Sequence, residues 1–314
     1  MYFFNFCKQI LKRKNVFALL YLALNVFVIA FIVMLTLDTE DLLLCLAVGA
    51  VIYLISILLT LSPLGEWLLR LRHGCRRIRQ RELLNRLDPL FREAERRAQR
   101  VDPLLTKEIR YFITADATPN AFAIGRHTVC ITEGLLLLPD EQILALLAHE
   151  LGHISHKDTD LLLVVTVGNM IITAYLLLLG FFLAILHFLC RIIAMLASIP
   201  VSARTGGTRR EAQPNCLGAL VELGFRFLRF VLIGMFSWVW TRLGILLVLK
   251  TSRENEYMAD EFAYNAGFGG ALCQFLRATP PAIERGTLFA ALSRTHPNPN
   301  DRIARLETLG AHHL

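Results

Sequence analysis

A chain of 314 residues that is 55% hydrophobic but only 19% charged is shifted toward lipid relative to soluble proteins, and a mean hydropathy of +0.50 agrees. Intrinsic disorder is excluded, because chains that fail to collapse are polar and rich in charge. The seven cysteines (Cys7, Cys45, Cys75, Cys130, Cys190, Cys216 and Cys273) are odd in number and scattered. That pattern excludes a disulfide scaffold and indicates that the soluble parts face a reducing compartment. The net charge of +7 is carried mostly by arginine.

In chain order, Val16 to Leu37 and Leu42 to Leu61 are uncharged and long enough to cross a hydrocarbon core of roughly 30 Å. Only Asp38-Thr39-Glu40-Asp41 separates them, which predicts a transmembrane hairpin over residues 1–61. Lysines and Arg13 precede the first span, and Arg70 to Arg81 follow the second, so both outer flanks are expected in the cytoplasm. The first span is too long for a signal-peptide core and lacks a small-residue cleavage site. The basic stretch from Arg70 to Arg100 reads as a juxtamembrane helix that meets anionic lipid. It does not read as a nucleic-acid surface, since no aromatic residues of the base-stacking kind are interleaved.

Residues 62–160 and 250–314 are expected to fold as one domain, interrupted by a membrane segment over 161–249. Tyr111 to Thr114, Asn120 to Ile124 and Thr128 to Thr132 predict a small sheet. A helix follows, with Asp140 as its expected cap and Ile143, Leu146, Leu147, Leu151 and Ile154 as its buried stripe. Leu161 to Leu186 predicts a third membrane span. Val231 to Leu249 predicts a fourth element, packed against protein or lying at the interface because Arg242 interrupts it. A last helix is predicted from Asn300 to Leu309. The architecture expected is α+β, mainly helical, with about four membrane helices.

The predicted helix carries His149-Glu150-Leu151-Gly152-His153. Histidines four apart share a helix face and can direct nitrogens at one tetrahedral ion, with Glu150 beside it to accept a proton from water. A hydrolytic zinc needs a third ligand and an open fourth position. A third histidine six residues beyond His153 is missing, since Thr159 stands there, and His156 reads as a helix-end residue. Glu256 offers the alternative, with Asp260 one turn on to hold the tautomer of a ligand histidine. An acidic pair at that spacing is by itself a solvated helix face. It becomes a site only if the chain crosses the bilayer an even number of times between His153 and Glu256. A span and its return satisfy this but leave Arg204, Arg209 and Arg210 on the non-cytoplasmic side, against the charge rule; two re-entrant elements satisfy it too.

These residues, with Pro119-Asn120-Ala121-Phe122-Ala123-Ile124-Gly125, Ile131-Thr132-Glu133-Gly134-Leu135-Leu136, Thr295-His296-Pro297 and Arg302-Ile303, resemble the HtpX-type integral-membrane zinc metalloproteases, relatives of the CAAX prenyl endopeptidases. The resemblance implies a gluzincin fold with one zinc on His149, His153 and Glu256, and Glu150 as catalytic base. It further implies that Asn120, Ala121, Phe122 and Ala123 form an edge along which an extended substrate pairs. His296 is implied as an oxyanion stabiliser, with a turn histidine as its plainer reading, and Arg302 as an anchor of the C-terminal helix. The chain departs from the family in its interrupted fourth membrane element and its Gly-rich 266–270 region. The function expected is endopeptidase action on cytoplasmic or misfolded segments of membrane proteins, as quality control under stress, in a bacterial inner membrane. A prenyl-peptide protease and a non-catalytic, zinc-bearing membrane scaffold are the alternatives.

Overall fold

The computed structural model describes residues 6–8, 10–11, 15–37, 39–204, 216–278 and 298–311. Two apolar helices open the chain, α1 (Val16–Leu37) and α2 (Leu42–Thr60). Among the described residues these are the two helices long and apolar enough to cross a membrane, over Val16–Met34 and Leu42–Thr60. Length and composition alone support that reading. Ser62 then caps α3 (Pro63–Arg72), its hydroxyl accepting from the Leu64 N–H, and Pro63 fits the first turn where no N–H is needed.

The expectation of one helix through Arg70 to Arg100 fails. Helix α3 ends at Arg72, and Gly74 follows with φ +64, a left-handed turn. Arg76–Arg77 form a short strand, β1, and helix α4 begins only at Arg81 and ends at Val101. Three strands follow, β2 (Arg110–Thr114), β3 (Ala121–Ile124) and β4 (Thr128–Thr132), within a residue of the expected positions. The sheet order is β1-β2-β4-β3, with β2 and β4 parallel and β3 antiparallel to β4, which leaves β3 as an edge.

A 3-10 turn (Glu133–Leu137) leads into α5 (Asp140–His156). Asp140 is not the cap. Pro139 occupies that position without a side-chain bond, and Asp140 instead pairs with Arg86 of α4 at 2.8 Å. Next come α6 (Thr159–Leu163), a π-helical turn (Val164–Gly168) and α7 (Asn169–Arg204). The expected fourth membrane element is not a separate element. It lies inside α8 (Cys216–Asn265), 50 residues long, whose backbone continues through the change from apolar to charged composition because no proline interrupts it. Helices α9 (Gly269–Ala278) and α10 (Pro299–Thr308) complete the described chain.

The chain divides into two compact units, one of residues 1–25, 54–168 and 243–314, the other of 26–53 and 169–242. Among the described residues the second is helical apart from residues 39–41; within it Asn169 Nδ2 donates to Thr241 Oγ1 at 3.2 Å. The first holds the sheet and the motif helix. One face of the sheet (Ala121, Val129, Ile131) packs with Leu87, Leu90 and Phe91 of α4 and with Ile143, Leu147 and Leu151 of α5. Most of these side chains are essentially solvent-free, and truncating any one of the leucines to Ala would cost ~2–5 kcal/mol. The opposite face carries Phe112 and Phe122, met by Arg70 and His73 from the end of α3.

Residue 125 is where the β3–β4 turn is locked. Gly125 has φ +58, a region that disfavours a side chain, and a Cβ there would fall 2.4 Å from Glu66 Oε1. Glu66, buried in α3, accepts the N–H of Arg126 at 2.9 Å and the hydroxyl of Thr128 at 3.2 Å. The Arg126 guanidinium in turn holds buried Asp160 of α6 through Nε at 3.0 Å. The edge strand is thus fixed to the helices before and after it.

Candidate metal centre and active site

Helix α5 presents His149 and His153 on one face, and α8 lies across it. The crossing is close because residue 152 has no side chain: a Cβ at Gly152 would sit 3.1 Å from both Ala259 Cα and Phe262 Cβ. At that separation Glu256 reaches both histidines. Its Oε2 is 3.4 Å from His149 Nε2, and its Oε1 is 3.4 Å from His153 Nε2. The ligand atoms of the three residues all lie within 4.8 Å of one another. A tetrahedral ion with bonds of ~2.1 Å spaces its ligand atoms about 3.4 Å apart, so the triad fits such an ion.

Two further observations agree. His149 Nε2 is buried and makes no good hydrogen bond, its 3.4 Å approach to Glu256 Oε2 being loose. Glu150, Asp158, Glu256 and Asp260 are all buried, and one buried guanidinium, Arg302, stands against them. An excess of buried negative charge favours a bound cation.

A carboxylate stands behind each histidine. Asp260 Oδ1 is 2.9 Å from His149 Nδ1, on the side expected for a group that fixes the tautomer. Asp158 Oδ2 is 3.6 Å from His153 Nδ1. Burial alone would lower both histidine pKa values, yet Asp260 and Glu256 leave His149 raised, and Asp158 and Glu256 leave His153 raised well above the ordinary value. Burial would raise the Asp260 pKa, but Arg302 and His149 bring it below the usual carboxylate range.

Asp158 escapes a reading of the sequence. It lies beyond the end of α5, where Lys157 takes φ 61 and turns the chain back, so helical spacing does not relate it to His153. Arg302 is more than an anchor of α10. Its Nε and Nη2 donate to the two oxygens of Asp260 at 2.7 and 2.6 Å, and its Nη1 is 3.7 Å from Glu256 Oε2. A bidentate pair of this kind fixes the carboxylate that fixes His149. His156 packs edge-on to the ring of Phe262, 6.0 Å between centroids. His296 lies outside the described residues.

Glu150 also meets the edge strand. The Ala123 N–H donates to its Oε2 at 2.7 Å. Antiparallel pairs alternate between inward and outward backbone groups. The Thr132 N–H donates to Asn120 O at 3.0 Å, so Asn120 faces β4 and its neighbour Ala121 faces outward. The Ala121 N–H is taken by Asn120 Oδ1 at 2.9 Å. Ala121 and Ala123 thus lie along the border on which Glu150 sits, with the Asn120 side chain at its start, while the Phe122 ring turns to the other face, 5.3 Å from His73.

The model of peptidase family M48 matches residues 80–309. The chain belongs to that family. Similar proteins include a Protease HtpX homolog of Desulforapulum autotrophicum, 30% identical over 223 residues, which are 63% of this chain and 62% of the relative. A Protease HtpX homolog of Campylobacter curvus is 25% identical over 229 residues, 64% of this chain and 68% of the relative. The chain thus spans slightly less than two thirds of the first relative and slightly more of the second. The crystal structure of S. mikatae Ste24p aligns with 85% of this M48 chain and 58% of its own, at 17% identity and a TM-score of 0.42. The HtpX-type resemblance read from the sequence agrees with the family match and with these curated relatives.

Proposed function

We propose that the chain is a membrane-bound metalloendopeptidase that holds one zinc ion on His149, His153 and Glu256. The observation that carries this is the convergence of α5 and α8 on one point, with both histidine Nε2 atoms 3.4 Å from Glu256 and Glu150 beside them. Zinc held by these three residues would supply Lewis acidity and activate water.

The protein's own groups do the rest. Asp260 and Asp158 orient the two imidazoles, and Arg302 orients Asp260. The Ala123 amide holds Glu150 through one oxygen, Oε2, which leaves Oε1 to take a proton from water and deliver it to the departing amine. An extended polypeptide pairs along β3, where the outward-facing carbonyls of Ala121 and Ala123 accept its N–H groups. Backbone pairing tolerates varied side chains, which suits the cutting of unfolded or misfolded segments.

The membrane reading rests on α1, α2 and on the surface of α3. Leu64, Trp67 and Leu71 make one stripe of that short helix and are 42%, 47% and 58% exposed, directly after the second apolar helix. Such a stripe suits the headgroup region, with the arginines that follow meeting anionic lipid. Substrates are accordingly membrane proteins with exposed cytoplasmic segments, in a bacterial inner membrane. Residues 62–160 and 250–314 would form the protease domain, with further membrane elements within 161–249.

Glu150→Gln tests the chemistry. Zinc content should be unchanged, whereas cleavage of an unfolded protein substrate should fall by ~100-fold or more. Wild-type cleavage rates in this variant would exclude Glu150 as the base.

A further inference from the structure

In the turn between β3 and β4, the Gly125–Arg126 peptide has both of its polar atoms bonded to side chains from outside the sheet. Its N–H donates to Glu66 Oε1 of α3 at 2.9 Å, and its carbonyl accepts the Thr159 hydroxyl of α6 at 2.6 Å. The Arg126 side chain continues the link to α6. Its Nε donates to Asp160 Oδ1 and Oδ2 at 3.1 and 3.0 Å, and its Nη2 donates to Oδ2 as well. Asp160 is fully buried and Arg126 nearly so. All of these residues belong to the same compact unit.

A buried ion pair adds little to stability, because stripping water from both charges offsets their attraction; what it supplies is one defined geometry. Here that geometry lies at the end of β3. The strand is four residues long and pairs on one side only, an arrangement prone to fraying. Ala123, whose N–H meets Glu150 Oε2 at 2.7 Å, stands two residues before the pinned peptide. On the other side, Asp158 immediately precedes Thr159 and stands 3.6 Å from His153 Nδ1. Three consecutive side chains after the reversal at Lys157 thus leave one corner for two destinations, a candidate metal ligand and the strand turn.

We propose that Thr159 and Asp160 are positioning residues for the substrate, which hold the β3 edge in register with Glu150 by pinning the Gly125–Arg126 turn. The inference rests on the reading of β3 as the edge along which an extended polypeptide pairs. A strand already ordered loses no conformational freedom when a second strand joins it, whereas a frayed one must be ordered at that moment. Loosening the turn therefore weakens the binding of an extended chain more than it slows the chemistry of a bound one. The pin acts through the backbone of β3, and neither Thr159 nor Asp160 needs to touch the substrate.

Thr159→Val removes one hydroxyl and keeps the shape, and Thr159→Ser returns the hydroxyl. In the zinc-loaded full chain in detergent, with a fluorogenic extended peptide as substrate, Thr159→Val should raise KM ~5-fold with kcat little changed, and Thr159→Ser should restore KM. Hydrogen exchange over residues 121–126, measured without substrate in the Glu150→Gln chain, should be faster with Val at position 159 than with Thr or Ser. The ion pair is tested by Arg126→Met combined with Asp160→Leu, an apolar replacement that should melt no lower than the wild type and yet raise KM. Unchanged KM in Thr159→Val, with or without faster exchange, would overturn the proposal, as would a loss confined to kcat. A zinc-loaded wild type that cleaves no extended peptide would instead remove the endopeptidase reading, and this inference with it.

Discussion

Asp158 shows how a single side chain can matter without belonging to a recognisable pattern. It is buried against His153 at 3.6 Å, as Asp260 is against His149 at 2.9 Å. Carboxylates behind metal-ligating imidazoles typically contribute 10–100-fold to metal affinity. Asp158→Asn keeps the size and loses the charge, so zinc affinity measured against a competing chelator should fall by at least ~10-fold. An unchanged affinity would remove Asp158 from this role. His149, Glu150 and His153 were legible in the sequence because their relation is a helical period, which survives without tertiary information. Asp158, the Ala123 amide and the Arg302 fork were not, because each reaches the site only after chain reversal or across a long separation in sequence.

At the scale of elements, the site exists because α5 and α8 cross at Gly152. With Ala259 Cα and Phe262 Cβ both 3.1 Å from where a Cβ would stand, even Ala is tight, and the branched side chain of Val requires the helices to separate. Glu256 lies about one turn before Ala259 on the same helix and would retreat from both histidines. Gly152→Val should therefore lower zinc content while leaving helical circular dichroism nearly intact. Full zinc occupancy in that variant would show that the crossing distance does not govern the site. The three longer strands, α5 and α10 could be placed from local signals. Strand β1 could not, since it consists of two arginines with no apolar alternation. Nor could the unbroken course of α8: composition changes sharply near Lys250, but helix propagation depends on backbone hydrogen bonds and the absence of proline, not on uniform polarity.

At the scale of the molecule, the chain is a peptidase-family segment preceded by two apolar helices. Composition pointed to the apolar helices, since an apolar, charge-poor chain must bury its surface in lipid or in itself. The helix after the second apolar segment joins the two parts. With Leu64, Trp67 and Leu71 exposed along one side of α3, the Trp67 indole is expected at headgroup depth in liposomes. In a chain whose Trp238, Trp240 and other native fluorescence is subtracted with a Trp67→Phe control, quenching by lipids brominated near the headgroup should be strong. A Trp67 contribution unaffected by the quencher, yet accessible to aqueous iodide, would place α3 away from the bilayer.

Zinc per chain in the purified protein, compared between wild type and Glu256→Ala, bears most directly on the joint site. The wild type should carry about one zinc, and the variant, folded by circular dichroism, should lose most of it because two imidazoles alone leave the ion underligated. A folded Glu256→Ala chain that retains full zinc would contradict the sharing of one ion between α5 and α8.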